Sequence, residues 1–446
     1  MTETIYALAT APGRAAVAVV RVSGPGAGGA LRRLGASRLA PRRATLAALH
    51  DRAGAPLDKA LVLWFPGPAS YTGEDCAELH LHGGPAVVDS VMSALADIGL
   101  RLSRPGEFTR RAFENGKMDL GQAEAVADLV EAETAAQVRQ AVAQLEGALG
   151  RRYQAWRASL VDVLAYLEAA VDFPDEDLPA EVEGHARPVL TGLVSEVELA
   201  LREGARGRQV REGYRIALVG SPNAGKSSLF NQLCRRDAAI VTAVPGTTRD
   251  IIEAHLDLAG FRVILADMAG LRATDDVIEA EGVRRARDWA GAADLRLWVV
   301  DGSSQGEGWR DGADLLASGD VCFLNKADLP QTAVNGEARS FCLKAGLETV
   351  AGSASHPEGS PMGDWLTERV RRDLSGADFP ATTRARHRRQ LEEARDHLKA
   401  ALAALREPEL AAEDVRLSVR ALGRVTGAIG VEDVLDQVFS QFCIGK

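Results

Sequence analysis

Cysteine is scarce: five occur in 446 residues, Cys76, Cys234, Cys322, Cys342 and Cys443, scattered and without a CxxC pair. An odd, dispersed set argues against a disulfide framework and against structural zinc, and points to a reducing, cytoplasmic compartment. Long apolar runs are missing as well. No uncharged stretch is long enough to cross a bilayer, so no membrane attachment is expected. The first residues carry Glu3 and no basic region, and Pro12, Gly13 and Arg14 interrupt the apolar stretch, which disfavours a signal or transit peptide. Positive charge is also in deficit. A formal net charge of −10 opposes a simple nucleic-acid coat, because phosphate binding draws on clustered Lys and Arg. Any RNA contact must then be local or shared. The run Arg384, Arg386, His387, Arg388 and Arg389 is one candidate, although such runs more often form a solvated helix face.

What is present is the balance of a globular protein, 46% hydrophobic and 26% charged, and the length suggests two or three domains of roughly 150 residues. From Thr4 to Val22 short apolar runs alternate with Gly and Pro. From Cys76 to His82 the alternation is strict, which predicts a half-buried strand with Ala77, Leu79 and Leu81 on one face and Glu78, His80 and His82 on the other. A metal on that polar face would need a further ligand that is not identifiable, so a polar strand or pocket wall is the preferred reading and no metal is assigned. After Asn115-Gly116 the spacing of Leu120, Ala123, Ala127 and Val130 predicts a long helical region from Asp119, a candidate cap, to about Glu168. Pro174 stops it, and a second helical stretch runs to about Gly204.

The texture changes at Tyr214. Strands expected at Ile216–Val219, Phe261–Leu265, Leu295–Val300, Val321–Leu324 and Leu347–Val350 alternate with helical patterns, the mark of a doubly wound, largely parallel sheet. After about Asp373 helical patterns return. An α/β block with helices on both sides suggests one all-α domain interrupted by an insertion.

Gly220-Ser221-Pro222-Asn223-Ala224-Gly225-Lys226-Ser227 fits the P-loop between a strand and a helix. Its glycines let backbone N–H groups cradle phosphates, Lys226 neutralises them and the Ser227 hydroxyl suits Mg²⁺. Further motifs follow in order at strand carboxyl ends, where open α/β sheets bind ligands. Asp267-Met268-Ala269-Gly270 offers a carboxylate for Mg²⁺ and an N–H for the γ-phosphate. Asn325-Lys326-Ala327-Asp328 offers, at Asp328, a double acceptor for the guanine N1–H and exocyclic amine, which adenine lacks. Ser353-Ala354-Ser355 would close over the base. Between them Gly246-Thr247-Thr248 supplies Thr248 as a second hydroxyl for Mg²⁺. The expected GTP contacts are Asn223, Ala224, Gly225, Lys226, Ser227 and Ser228, then Thr242, Ala243, Val244, Pro245, Gly246, Thr247 and Thr248. Asp267, Met268, Ala269, Gly270, Asn325, Lys326, Asp328, Ser353, Ala354 and Ser355 complete the set. Leu271 stands where Ras-like GTPases place a water-orienting Gln, so another group must orient the water; Glu279 is a candidate catalytic residue, balanced against a solvated helix charge.

With these motifs the whole chain resembles the MnmE (TrmE) family of tRNA-modification GTPases. Beyond the GTPase motifs the resemblance rests on Ala9-Thr10-Ala11-Pro12-Gly13-Arg14, Arg21-Val22-Ser23-Gly24, Tyr71-Thr72-Gly73-Glu74-Asp75, the string from Gly106 to Phe113 with Asn115-Gly116-Lys117, and Phe442-Cys443-Ile444-Gly445-Lys446. It implies an α/β P-loop GTPase domain (214–373) inserted in an all-α helical domain (119–213 and 374–446), preceded by an α+β folate-binding and dimerising domain (1–118). By matching positions, Arg21, Glu78, Lys117 and Lys446 would contact 5-formyltetrahydrofolate or a related folate. The resemblance further implies K⁺ held by Asn223, Thr242, Val244 and Thr247, a water-orienting role for Glu279, a homodimer, and an MnmG-type FAD-containing partner in a heterotetramer that acts on the wobble uridine of tRNA. Met268 departs from the family's usual Thr, which leaves the packing of that segment open. The competing reading, a GTPase that binds ribosomal RNA during subunit assembly, shares Asn223 and Leu271 but not the strings at Glu107 to Lys117 and Phe442 to Lys446.

Overall fold

The structure, a computed structural model, describes residues 3–172, 178–236, 252–268, 277–305, 307–356, 361–376, 382–429, 432–440 and 442–446. The chain divides into two compact units, one of Met1–Ala127, Gln144–Val194 and Gln390–Lys446, the other of Asp128–Ala143 and Ser195–Arg389.

The first unit opens with β1 (Ile5–Leu8), β2 (Val17–Ser23), α1 (Ala27–Arg33), β3 (Thr45–His50), β4 (Pro56–Phe65), β5 (Cys76–His82), α2 (Pro85–Asp97), β6 (Arg101–Leu102) and α3 (Glu107–Glu114). The strands form one sheet in the order β3-β4-β5-β2-β1-β6. The alternation in β5 sets its faces as expected. Ala77, Leu79 and Leu81 join Val20, Val22 and Val62 in the core beneath α1 and α2, while Glu78 and His80 stand on the opposite face. The register pairs Arg21 with Glu78 directly across β2 and β5.

The helical run expected as one piece from Asp119 is three helices, α4 (Leu120–Glu131), α5 (Ala135–Leu145) and α6 (Ala148–Asp172). Asp119 does cap the first: its Oδ1 accepts the Gln122 N–H at 2.7 Å while Gln122 Oε1 accepts the Asp119 N–H at 2.9 Å, a reciprocal box. The breaks come from Thr134, whose N–H and hydroxyl both reach Gln137 Oε1, and from Gly147 at φ +80°. An alanine-rich pattern hides such breaks because every face looks apolar. The next helix, α7 (Leu178–Glu212), runs past Gly204. That glycine is a packing residue: a Cβ there would stand 2.4 Å from Thr382 Cγ2.

The α/β sheet lies in the second unit, from β7 (Tyr214–Val219), α8 (Lys226–Arg236), β8 (Ile252–Leu258), β9 (Phe261–Asp267), α9 (Val277–Gly291), β10 (Leu295–Asp301), β11 (Val321–Asn325), α10 (Ala333–Ala345), β12 (Glu348–Ala351) and α11 (Met362–Leu374). Its order is β12-β11-β10-β7-β9-β8, parallel except for β8 against β9. Each expected strand is present; the first four are slightly longer than expected, and the fifth, β12, is shifted by one residue to Glu348–Ala351. The edge strand β8 was not foreseen, although Ala254, Leu256 and Leu258 alternate inward along it. The last helices are α12 (Ala385–Ala403), α13 (Pro408–Thr426) and α14 (Glu432–Phe439). In the basic run that opens α12, Arg384 pairs with Asp128 at 2.6 Å and His387 is fully buried, so those two do not form a solvated face.

Candidate nucleotide-binding site

Strand β7 delivers the chain into a loop that only its glycines can make. Gly220 sits at φ +137°, where a Cβ would lie 2.3 Å from the Val299 carbonyl oxygen, and Gly225 at φ +100°. Asn223, at φ +64°, turns the loop with its side chain exposed. Lys226 opens α8 and folds back, its Nζ donating to the carbonyls of Gly220 at 2.9 Å and Ser221 at 3.0 Å. Burial pushes the Lys226 pKa down, with Asp267 and Asp311 opposing. A partly desolvated ammonium clamped across a glycine loop is primed for an anion.

At the end of β9, Asp267 is 2% exposed. Its Oδ2 accepts the Ser227 hydroxyl at 2.6 Å, while Oδ1 is buried without a partner among the described residues. A buried orphan acceptor is costly unless something cationic completes it. A carboxylate and a hydroxyl in contact at the mouth of the P-loop suit a hard divalent cation.

Asn325, 2% exposed at the end of β11, ties three loops together. Its Nδ2 donates to the Ala224 carbonyl at 2.7 Å and its Oδ1 accepts the Ala354 N–H at 2.9 Å. Lys326, at φ +58°, reaches Asp301 at 2.6 Å. Burial would raise the Asp301 carboxyl, but hydrogen bonds from Lys326 and Ser303 outweigh it and hold it below the usual carboxylate range. Asp328 is exposed, and a hydrogen bond from Ser353 holds its pKa below the ordinary value. The structure therefore brings Ala224, Lys226, Ser227, Asp267, Asn325, Asp328, Ser353 and Ala354 into one linked set. Thr242, Ala243, Val244, Pro245, Gly246, Thr247, Thr248, Ala269, Gly270, Leu271 and the side chain of Glu279 lie outside the described residues.

In the first unit a second constellation forms. Arg21 grips Glu78 Oε1 through Nε at 3.1 Å and a terminal nitrogen at 2.9 Å. The guanidinium lies over the rings of Tyr71 at 5.0 Å and Phe108 at 5.8 Å. Phe108 packs with Ile5, Ala7 and Tyr71 in a small apolar cluster. Lys117 and Lys446 attach to the same surroundings: the Lys117 ammonium donates to the Pro68 carbonyl at 3.0 Å, on the loop that carries Tyr71, and the Lys446 carbonyl accepts the Phe108 N–H at 3.2 Å. The structure places Arg21 and Glu78 in contact, with Lys117 and Lys446 on the segments that hold their aromatic neighbours.

Two family descriptions match the chain, "GTP-binding protein TrmE N-terminus" over residues 4–117 and "MnmE helical domain" over residues 120–443. Proteins named tRNA modification GTPase MnmE from Phenylobacterium zucineum and Caulobacter vibrioides are each 56% identical to it over 450 residues, covering 100% of both chains. The counterpart from Maricaulis maris is 51% identical over 449 residues with the same full coverage. The chain belongs to the MnmE (TrmE) family of tRNA modification GTPases.

In this MnmE-family chain Met268 is fully buried among Ala217, Val219 and Ala286, so the departure at that position is a core-packing residue and its side chain does not enter the site. Asp301 is not among the residues expected from the motifs, although an acidic residue ending the apolar strand Leu295–Asp301 is a usable signal. Tyr71 and Phe108 were also missed as neighbours of Arg21. They belong to strings quoted for the resemblance, but which strand they cover depends on tertiary packing.

Proposed function

We propose that this chain binds GTP at the carboxyl ends of β7, β9 and β11. With an MnmG-type flavoprotein, in a heterotetramer in the cytoplasm, it modifies C5 of the wobble uridine (position 34) of tRNA to an aminomethyl-type derivative with a one-carbon unit from folate. The observation that carries the nucleotide half is the Asn325 carboxamide, which joins the phosphate loop at Ala224 to the base loop at Ala354. One side chain thus registers the two ends of a nucleotide against each other, with Asp328 beside it to accept from guanine.

On this reading residues 214–373 are the GTPase domain set within the helical segments 119–213 and 374–446, after a folate domain at 1–118. Ser227 and Thr248 would hold Mg²⁺ with Asp267 nearby, and the ion would neutralise charge on the β- and γ-phosphates. Hydrolysis forms a bond from a water oxygen to the γ-phosphorus and breaks the bond to GDP. Lys226 steadies the phosphate oxygens, and Glu279 orients the water that Leu271 cannot. Arg21 and Glu78 bind the folate, the one through its carboxylates and the other through pterin donors, above the Tyr71 and Phe108 rings. Homodimer formation fits the same sheet face, where Val17, Leu46 and Leu61 are exposed at 51%, 68% and 46%.

Asp328→Asn removes a charged double acceptor and is expected to weaken GTP binding by about 10- to 150-fold, with no loss in binding of triphosphate alone. Competition between GTP and ATP for the wild-type protein checks it, and equal affinity for both would end the guanine reading. Calorimetric titration with 5-formyltetrahydrofolate should give a binding heat for the wild type that vanishes in Arg21→Ala and in Glu78→Ala. Retained binding in both would make the pair structural.

A further inference from the structure

Between Thr4 and His50 the chain carries seven arginines, at 14, 21, 32, 33, 38, 42 and 43, and not one carboxylate. This is a strong local excess in a chain whose formal net charge is −10. Five of the seven gather on α1 and the loop to β3, where Arg32, Arg33, Arg38, Arg42 and Arg43 are all exposed. Several arginines elsewhere are paired: Arg101 and Arg111 with Glu107, Arg296 with Asp320, Arg369 with Asp373. Among the described residues none of these five is in an ion pair. The α1 dipole accounts for Arg32 and Arg33 in its last turn. It does not account for Arg38, Arg42 and Arg43.

The surface is held rigidly. Ala27, Ala30, Leu31, Leu34 and Ala36 are buried in the core beneath the sheet, and the Leu34 carbonyl accepts the His50 N–H at 3.0 Å. Arg42 is fixed at φ +60° by its N–H to the Trp64 carbonyl at 2.8 Å and by its guanidinium to the Ala69 carbonyl. The neighbouring carboxylates of the β3–β4 turn and of β4 are engaged, Asp51 with the Ala55 N–H at 2.8 Å and Asp58 with His82 at 2.7 Å. An unneutralised cluster of guanidinium groups on a fixed backbone suits a polyanion, because each planar fork can bridge phosphate oxygens.

We propose that this arginine surface of α1 and the α1–β3 loop binds the phosphate backbone of tRNA. It rests on the tRNA reading above and places the contact on the sheet face away from Arg21 and Glu78, where folate and a second copy would leave it free. Phosphate contacts of this kind position an RNA without reading its sequence, so the surface would hold many tRNAs alike.

The test compares the full-length triple variant Arg32→Glu, Arg38→Glu, Arg43→Glu with a control triple of equal charge change, Arg157→Glu, Arg208→Glu, Lys344→Glu. The probe is an unmodified tRNA transcript, titrated by fluorescence anisotropy between 50 and 200 mM salt, a range set by the counterion effect. The arginine triple should lose about 10²-fold in affinity at 0.1 M salt, and its slope of log affinity against log salt should flatten by about 2 to 3. The control should lose less than about a tenth as much, and both should keep the wild-type GTP hydrolysis rate without tRNA. Equal losses in the two triples, or wild-type affinity in the arginine triple, would overturn the surface and leave the tRNA reading standing. An arginine triple that binds tRNA normally but changes its sedimentation would likewise overturn it, in favour of a protein contact. Wild-type protein with no measurable tRNA affinity at the lowest salt would overturn the tRNA reading and this surface with it.

Discussion

Gly225→Ala is expected to lower GTP affinity by about a thousandfold while leaving the rest of the protein folded. A Cβ at that position would stand 2.1 Å from Asn325 Nδ2, on a backbone at φ +100° that alanine rarely adopts. The strain costs about 1–3 kcal/mol, and the Asn325 amide must leave Ala224 or Ala354, forfeiting one or two buried hydrogen bonds of about 1–1.5 kcal/mol each. Together these approach 4 kcal/mol, which is about three decades in affinity. Gly336→Ala on α10 is the matched control, because nothing lies within 4 Å of its would-be Cβ. It should bind GTP normally and gain stability by about 0.5–1 kcal/mol. Calorimetric GTP titration and thermal melts of both proteins separate the outcomes, and near-wild-type affinity in Gly225→Ala would mean that the Asn325 link does not set the site.

Hydrolysis is expected to rise by about 10²-fold in KCl over NaCl at equal ionic strength, part of the roughly 10³–10⁵ that an arginine finger supplies elsewhere. Leu271 cannot orient water and neither Asn223 nor Thr247 carries a positive charge, so that charge developing on the leaving phosphate needs an imported cation. Asn223→Gly is the better probe than alanine, since Asn223 stands at φ +64° and glycine keeps that turn without strain. It should bind GTP and lose the potassium response. If bound K⁺ lets two GTPase domains meet face to face, Glu279→Ala should still dimerise with a transition-state analogue in K⁺ yet hydrolyse slowly, because it lacks only the water-orienting group. Rates that are equal in KCl and NaCl would remove the cation mechanism, and a fully active Glu279→Ala would return that residue to the solvated face of its helix.

Much of this site is legible in the chain because its motifs are local. A P-loop needs its glycines at 220 and 225 and its lysine at 226 within one short stretch of sequence, and the motifs at Asp267, Asn325 and Ser353 each follow a strand whose apolar run is visible on its own. Long-range partnerships are less legible. That Asn325 would bridge Ala224 and Ala354, 101 and 29 residues away, follows from the parallel pairing of β7, β10 and β11, which no local pattern reveals. Arg21 and Glu78, 57 residues apart, meet because β2 and β5 share a register, a matter of one residue either way. The helix breaks at Thr134 and Gly147 were hidden for a different reason. Alanine-rich sequence satisfies helical periodicity on every face, so the stop depends on one side-chain cap and one left-handed glycine.

The central claim is that nucleotide binding at this P-loop drives modification of the tRNA wobble uridine. Mass spectrometry of tRNA nucleosides from cells lacking the protein, complemented with wild type, Gly225→Ala or Gly336→Ala, addresses it most directly. The account predicts that the C5-modified wobble uridine disappears in the deletion, returns with wild type and Gly336→Ala, and stays absent with Gly225→Ala at equal protein abundance. An unchanged content of that nucleoside in the deletion, in cells that make it, would contradict it.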